Sequence, residues 1–232
     1  NKRLFFAFRA ILCLRGGAGC ARLSVAMEQS DSPHLRGCLV VFEGIDGTGK
    51  STQIQLLAQY LRAQGLEVLT DFEPTRGEWG MKVREAALSG ERLSIEEETA
   101  CLLQDRREHV RDVIEPALER GCWVLLDRYY LSMMAYQGAS GVNVEDLREW
   151  NEAFATVPDV AFWLDIPLEM AMARMNARGN GHDAFENEPF LQACYDIYST
   201  MEMPWLHRVE ADGTVVETQN RIREILREEL GV

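Results

Sequence analysis

The feature that most constrains the fold is a glycine-rich turn set between an apolar run and an amphipathic segment. The apolar run, Leu39 to Phe42, is short enough for a buried strand. Gly44 to Ser51 then reads Gly-Ile-Asp-Gly-Thr-Gly-Lys-Ser, which matches the pattern G-x-x-x-x-G-K-[ST]. From Gln53 to Arg62 the apolar residues recur at helical spacing. Strand, glycine loop and helix is the order that this motif requires, so we predict a phosphate-binding loop.

The residue types in this loop explain how it would hold a chain of phosphates. Glycines let backbone N–H groups curl around an anion without Cβ clashes, and the helix N-terminus adds partial positive charge. Lys50 should reach the β- and γ-phosphates, and the Ser51 hydroxyl should bind Mg²⁺. The predicted phosphate-binding residues are Gly44, Ile45, Asp46, Gly47, Thr48, Gly49, Lys50, Ser51 and Thr52.

Beyond the loop, short apolar runs alternate with helical segments. The next strands are expected at 66–70, 121–127 and 158–165, with a last short one near Val209. This alternation predicts an α/β, three-layer P-loop NTPase fold, with a doubly wound parallel sheet of about five strands flanked by helices. Asp127 ends its strand, where P-loop proteins hold the Mg²⁺ shell. The glycine-rich stretch 179–187 should be mobile.

Helix signals divide the segments between the strands. A capping box, Ser94 with Glu97, predicts a long helix that runs towards Glu115, with Pro116 kinking or splitting it. A further helix is expected at 144–156. We expect His109 to support the long helix.

Composition excludes several classes of protein. The chain has 232 residues and a formal net charge of −13, which disfavours a broad nucleic-acid footprint or a basic membrane-binding surface. No run of 18 or more apolar residues occurs, so no membrane span is predicted. The six cysteines show neither C-x-x-C pairing nor zinc spacing and indicate a reducing compartment.

The first residues differ from the rest of the chain. Residues 1–27 carry Lys2, Arg3, Arg9, Arg15 and Arg22 and no acid. This composition is typical of an organellar transit peptide; the alternatives are the loose end of a fragment and sequence upstream of a true start at Met27. We therefore divide the chain into a leader, 1–35, and one P-loop domain, 36–232.

The motifs together resemble one family. They are Phe42-Glu-Gly-Ile-Asp-Gly-Thr-Gly-Lys-Ser-Thr-Gln53, Glu73-Pro74, Asp105-Arg106, Asp127-Arg128-Tyr129, Ser132, Tyr136-Gln-Gly138, and Leu164-Asp165 with Pro167. In order and spacing, from about residue 38 to 230, the chain resembles the thymidylate (dTMP) kinases. The string Asp-Arg-Tyr…Ser…Ala-Tyr-Gln-Gly is more specific than the P-loop, because simple NTPases do not need it.

The resemblance implies a role for each motif. The loop residues would bind MgATP, with Ser51 and Asp127 at the metal. The implied catalytic residues are Lys50, Asp46, Arg128 and Arg178. The implied acceptor-binding residues are Glu73, Leu102, Arg106, Arg128, Ser132, Tyr136 and Gln137. Of these, Arg106 and Arg128 would grip the 5′-phosphate, since a guanidinium binds phosphate with two donors. Residues 178–188 would form a mobile lid that closes over ATP, and this lid would include Arg178, Asp183 and Glu186.

The resemblance also implies the partners and the compartment. ATP and a pyrimidine nucleoside monophosphate, dTMP first, would be the substrates, Mg²⁺ the cofactor and a homodimer the assembly. We expect a cytoplasmic enzyme, or an organellar matrix enzyme if the leader is a transit peptide.

The chain departs from the family pattern at several positions. Phe72 stands where an arginine is usual, Leu102 where a base-stacking phenylalanine is usual, and Leu131 where an acid is frequent. The usual arginine is absent both at Gly47 in the loop and at Ala184 in the lid. Arg178, Arg174 or Arg76 would then have to neutralise the transferred phosphoryl group. A kinase for another pyrimidine nucleotide or nucleoside, or a catalytically weak nucleotide-binding relative, remains an alternative.

Overall fold

The fold rests on one parallel sheet. The computed structural model describes residues 36–90, 93–177 and 188–232; the predicted leader and the predicted lid, with Arg178, Asp183 and Glu186, lie outside these residues. The strands are β1 (Leu39–Glu43), β2 (Val68–Phe72), β3 (Trp123–Asp127), β4 (Val160–Asp165) and β5 (Leu206–Glu210). They form a five-stranded sheet in the order β2-β3-β1-β4-β5, and every neighbouring pair is parallel. The predicted sheet is confirmed.

Helices connect and flank these strands. They are α1 (Lys50–Ala63), α2 (Glu78–Ser89), α3 (Ile95–His109), α4 (Glu115–Glu119), α5 (Tyr130–Ala139), α6 (Val144–Glu152), α7 (Leu168–Ala177), α8 (Glu188–Thr200) and α9 (Val215–Leu230). α1 packs against α9, whereas α5 packs against α3, α6 and α8. Among the described residues, no helix is both long enough and apolar enough to cross a membrane.

The central strands form the core. Every residue of β1 and of β4 is buried. A parallel strand covered on both faces must be apolar on both, which explains the unbroken apolar runs in the sequence. In the ladder, Phe42 lies opposite both Asp127 of β3 and Phe162 of β4. The carboxyl ends of three strands therefore meet at one edge, where the phosphate loop begins.

Several predicted boundaries were wrong, and β3 and β4 each begin two residues later than the predicted 121 and 158. β2 starts at Val68 because Leu66 donates its N–H to Leu61 at the end of α1 (3.2 Å), and it extends to Phe72, which pairs with Asp127. The long helix is divided by a π-helical turn, Val110–Ile114, just before Pro116, so the predicted interruption near this proline is confirmed. This wider turn ends close to Pro116, which lacks the N–H that a regular helix needs.

The predicted end of α6 was also wrong. The helix stops at Glu152 and not near residue 156, because the Asn151 carbonyl accepts the N–H groups of both Phe154 and Ala155 in a closing turn.

The interior position of β3, between β2 and β1, gives a stability prediction. Leu125 is fully buried, so Leu125→Ala should lower the free energy of unfolding by about 2–5 kcal/mol through lost burial and a residual cavity. Urea denaturation measures the change. Leu88→Ala is the control: its side chain is 84% exposed, and the expected change is within ~0.5 kcal/mol. Equal losses in both variants would contradict this description of the core.

Candidate active site

The glycine loop after β1 has backbone angles that other residues rarely adopt. Gly44, Gly47 and Gly49 have φ values of 129°, 83° and 96°. A Cβ at Gly47 would lie 2.5 Å from the carbonyl oxygen of Ala171, and one at Gly44 would lie 2.9 Å from that of Leu164. The loop is therefore packed tightly against β4 and α7, and its first two glycines are required by space as well as by backbone conformation.

Lys50 is held inside this loop. Its Nζ donates to the carbonyl oxygens of Gly44 and Ile45, both at 3.0 Å, and lies 3.6 Å from Asp46 Oδ1. Burial and the nearby Arg128 guanidinium lower the pKa of Lys50, partly offset by Asp46. The ammonium is thus placed among the backbone groups that would surround a phosphate chain.

The two predicted metal ligands are brought together. Ser51, at the start of α1, donates its hydroxyl to Asp127 Oδ2 at the end of β3, at 2.6 Å. Within the described ranges no cluster of three or more His, Cys, Asp or Glu side chains could hold a metal ion. Two oxygen groups beside a phosphate loop nevertheless fit Mg²⁺, which keeps several waters and takes further oxygens from substrate phosphates.

Arg128 contacts the phosphate loop and also lines a neighbouring cavity, which is described below. Its Nη2 donates to Asp46 Oδ1 at 2.7 Å and to the Tyr136 hydroxyl at 3.1 Å, and its Nη1 donates to Ser132 Oγ at 3.2 Å. Burial acts to lower the pKa of Arg128, but Asp46 and Tyr136 outweigh it and raise that pKa well above its usual value. The guanidinium therefore stays charged between the two sites.

The backbone of Arg128 is strained. Its φ is 71°, in the left-handed region that side chains other than glycine rarely adopt. Its N–H is held by the carbonyl of Phe42 at 2.9 Å. Residues kept in this region cluster at functional sites, where the surrounding structure over-determines them. Sequence inspection selected Arg128 but gave no sign of this conformation.

A buried carboxylate supports the turn that carries Arg128. Glu43 accepts from the backbone N–H of Tyr129 (2.9 Å), from Ser132 Oγ and from the Tyr198 hydroxyl (3.0 Å). Burial raises the pKa of Glu43 in spite of these hydrogen bonds. Sequence reasoning missed Glu43 and Tyr198. The available signal was an acid at the end of an otherwise apolar strand.

A cavity of about 460 Å³ opens beside Arg128, between α2, α3 and α5. Glu98, Leu102 and Arg106, spaced four residues apart on α3, line one wall. The predicted acceptor-binding residues all line this cavity: Glu73, Leu102, Arg106, Arg128, Ser132, Tyr136 and Gln137. Asp46 of the phosphate loop also lines it. The cavity and the loop therefore adjoin, although the role of each residue stays a prediction.

Arg106 is held by protein groups on two sides. Its Nε donates to Glu73 Oε2 at 2.7 Å and its Nη1 to Asn151 Oδ1. Glu73 and Arg106 are both almost fully buried. Two of the nitrogen atoms of the Arg106 guanidinium, which was predicted to bind phosphate, therefore already donate hydrogen bonds to protein groups. Asn151, which fixes the fork from α6, was not foreseen.

His109 does more than support the long helix. Its Nδ1 lies 2.9 Å from Glu73 Oε1 and its Nε2 lies 3.3 Å from Asp71 Oδ2. Burial acts to lower the pKa of His109, but the two carboxylates outweigh it and raise the pKa to about 9. His109 is therefore cationic near neutral pH and joins the end of β2 to the Glu73–Arg106 pair.

Asp105 anchors the loop after β2. Its carboxylate accepts from the backbone N–H of Thr75 at 2.7 Å and from the Thr75 hydroxyl at 2.5 Å. The two neighbouring residues on α3 therefore have different contacts: Asp105 holds the loop after β2, and Arg106 lines the cavity.

The candidate phosphoryl-neutralising arginines lie in different surroundings. Arg174 Nη1, on α7, is 3.5 Å from the carbonyl oxygen of Gly47 in the phosphate loop. Arg76 instead lies over the ring of Phe72, 5.4 Å from its centroid, as Arg84 does at 4.9 Å. Arg178 lies outside the described residues. Of the two described candidates, Arg174 is the one at the loop.

Comparison with known proteins agrees with this geometry. The family model for thymidylate kinase matches residues 42–222. The chain belongs to the thymidylate kinase family. A protein named thymidylate kinase from Akkermansia muciniphila is 55% identical over 191 residues, which cover 82% of this chain and 92% of the relative.

More distant members of the thymidylate kinase family match in the same way. The thymidylate kinase of Xanthomonas oryzae pv. oryzae is 47% identical, over 76% of this chain and 77% of the relative. That of Desulfotalea psychrophila is 42% identical, over 80% of this chain and 92% of the relative. The family predicted from the motifs is confirmed.

The His109 contacts predict a specific pH dependence of stability. In the unfolded chain His109 should titrate near pH 6.5, and in the folded chain near pH 9. Its contribution is therefore complete below about pH 6.5 and is lost as pH rises through about 9, amounting to roughly 1–3 kcal/mol. Urea unfolding of wild type and His109→Gln between pH 6 and 9.5 measures it.

The readout is the difference between the two proteins at each pH. Other groups, including cysteines with a usual pKa of 9.0, titrate in the same range and contribute to both curves. The gap should be largest at pH 6 and close as pH approaches 9.5. A constant gap would show that His109 acts by packing alone.

Proposed function

We propose that this member of the thymidylate kinase family transfers the γ-phosphoryl group of ATP to dTMP and yields ADP and dTDP. The observation that carries the proposal is the position of Arg128, which contacts Asp46 in the phosphate loop and at the same time lines the adjoining cavity. A nucleotide in the loop and a second nucleotide in the cavity would meet at this guanidinium. Adjacent donor and acceptor sites are what a nucleotide kinase requires.

The chemistry follows from positions and charges. An oxygen of the acceptor 5′-phosphate forms a bond to the γ-phosphorus while the bond from the β,γ-bridging oxygen breaks, and ADP leaves. Lys50 and the loop amides would hold the donor phosphates, and Arg128 would hold the acceptor phosphate. Fixed cations placed where negative charge accumulates are the main source of rate enhancement for this class of reaction.

Asp46 is suited to positioning and not to proton removal. It pairs with Arg128 at 2.7 Å and lies 3.6 Å from Lys50 Nζ. A phosphate acceptor already carries an ionised oxygen at neutral pH. Asp46 would therefore orient the two cations that face the donor and acceptor phosphates.

We propose Mg²⁺ as the cofactor, held by Ser51 and Asp127. Held by these two residues, it would supply positive charge that neutralises the donor phosphates. The hydrogen bond between Ser51 and Asp127 already places the two groups on one side of the loop.

A homodimer is also proposed, from the resemblance to the family. Trp150 and Val157 expose 43% and 49% of their surface in and after α6, and apolar side chains of this kind support a contact between copies.

Leu102 favours a second candidate acceptor. It lines the cavity from α3 where a stacking aromatic residue is usual in the family, so the wall there is aliphatic. A kinase for another pyrimidine nucleotide is therefore kept as the alternative.

The direct test measures ATP consumption with dTMP, dUMP, UMP, CMP and thymidine offered separately. We expect dTMP to give the highest kcat/KM and thymidine, which lacks the acceptor phosphate, to give negligible turnover. A different preferred nucleotide would replace the substrate and keep the kinase. ATP binding without turnover of any acceptor would contradict the proposed reaction.

The position of Arg174 gives a second prediction. Arg174→Ala should lower kcat for dTMP by about 10²-fold or more, because a cation on the transferred phosphoryl group is worth orders of magnitude in rate. Arg227→Ala, on the exposed side of α9, is the matched control and should retain wild-type kcat. Arg178→Ala, assayed in parallel, tests a second of the three predicted arginines. An unchanged kcat in Arg174→Ala would exclude this role for Arg174.

A further inference from the structure

A carboxylate and an amide pair at the far end of the cavity. Gln137 of α5 donates through Nε2 to Oε1 of Glu98 on α3, at 3.2 Å, and both residues line the cavity. Gln137 is almost completely buried, whereas Glu98 is partly exposed. Neither the phosphate loop nor Arg128 needs this contact for its own geometry.

The path of α5 identifies this end of the cavity as the base end. Arg128 and Ser132, which contact each other, mark the end beside the phosphate loop. A helix rises ~1.5 Å per residue, so Gln137 lies roughly 7–8 Å further along α5 than Ser132. That separation is comparable with the distance from the 5′-phosphate to the base in a nucleotide. A nucleotide whose phosphate meets Arg128 would therefore bring its base to Gln137.

Glu98 decides whether the carbonyl oxygen or the NH₂ group of the Gln137 side chain faces the base. An ionised carboxylate only accepts hydrogen bonds, so Glu98 requires the NH₂ group of Gln137 to point towards it. The carbonyl oxygen is on the other side of the same planar amide. A carbonyl oxygen accepts from the N3–H of thymine or uracil, whereas N3 of cytosine carries a lone pair and would be opposed by it.

We infer that Glu98 is a positioning residue that fixes the amide of Gln137, so that the cavity selects a pyrimidine with an N3–H, thymine or uracil, over cytosine. The inference rests on the proposed function, because it assigns the cavity to the acceptor nucleotide. It names one residue outside the predicted site and explains a preference that the aliphatic wall at Leu102 cannot supply.

The test compares kcat/KM for dTMP, dUMP and dCMP in wild type and Glu98→Gln. The glutamine keeps the size of Glu98 but can donate as well as accept, so the Gln137 amide is free to rotate and offer its NH₂ to cytosine N3. The ratio of kcat/KM for dUMP over dCMP should fall about tenfold or more, through KM more than kcat. The comparison of dUMP with dCMP excludes any effect of the thymine methyl group.

Two further variants make the result decisive. Glu96→Gln makes the same change at an exposed position on α3 that does not line the cavity, and it should keep the wild-type ratio. Glu98→Ala removes the acceptor without adding a donor and should lower the ratio as well, so the test survives if Glu98→Gln is unstable. Thermal melts establish which variants are folded.

The outcomes separate the inference from the proposed function. Turnover of dTMP by wild type together with a lower ratio in the folded Glu98 variants supports both. Equal losses for all three nucleotides in those variants would show that Glu98 only joins α3 to α5, and the inference would be wrong while the kinase stands. Failure of wild type to phosphorylate dTMP or dUMP would overturn the proposed function itself.

Discussion

The ion pair between Arg128 and Asp46, 2.7 Å long, is the interaction on which the arrangement of the site depends. Asp46 belongs to the phosphate loop after β1, and Arg128 follows β3, so the pair joins the ends of two neighbouring strands. The pair lies at the boundary between the phosphate loop and the cavity. The strained backbone of Arg128 and the buried carboxylate of Glu43 beneath it both serve to hold the guanidinium in that place.

A second set of charges stabilises the part of the cavity wall formed by Glu73 and Arg106. Along the contacts Asp71–His109–Glu73–Arg106 the charges alternate in sign, and the last three residues are almost fully buried. Each buried charge would be costly alone, and each is paired and hydrogen-bonded, which is the condition under which proteins tolerate such groups. The result is a rigid wall that joins β2 to α3, so the cavity has fixed polar groups and not flexible surface side chains.

In the proposed function, selectivity and catalysis would be placed at different ends of one cavity. Cations and the phosphate loop occupy the end at the strand edge, where reaction would occur. The Glu98–Gln137 pair lies at the other end, away from Arg128 and the phosphate loop, with Leu102 one helical turn from Glu98 on the same wall.

The sequence by itself determined the parallel α/β fold, the phosphate loop and the family, because these depend on local patterns: apolar runs, glycine spacing and short motifs. It also identified residues such as Arg106 and Gln137 that meet in one cavity. Only the tertiary structure decided their partners. Asn151 on Arg106, His109 between two carboxylates and Glu98 on Gln137 join residues distant in sequence, and no local pattern encodes which of many polar side chains will meet. The extension of β2 to Phe72 was likewise set by its pairing with Asp127 of β3.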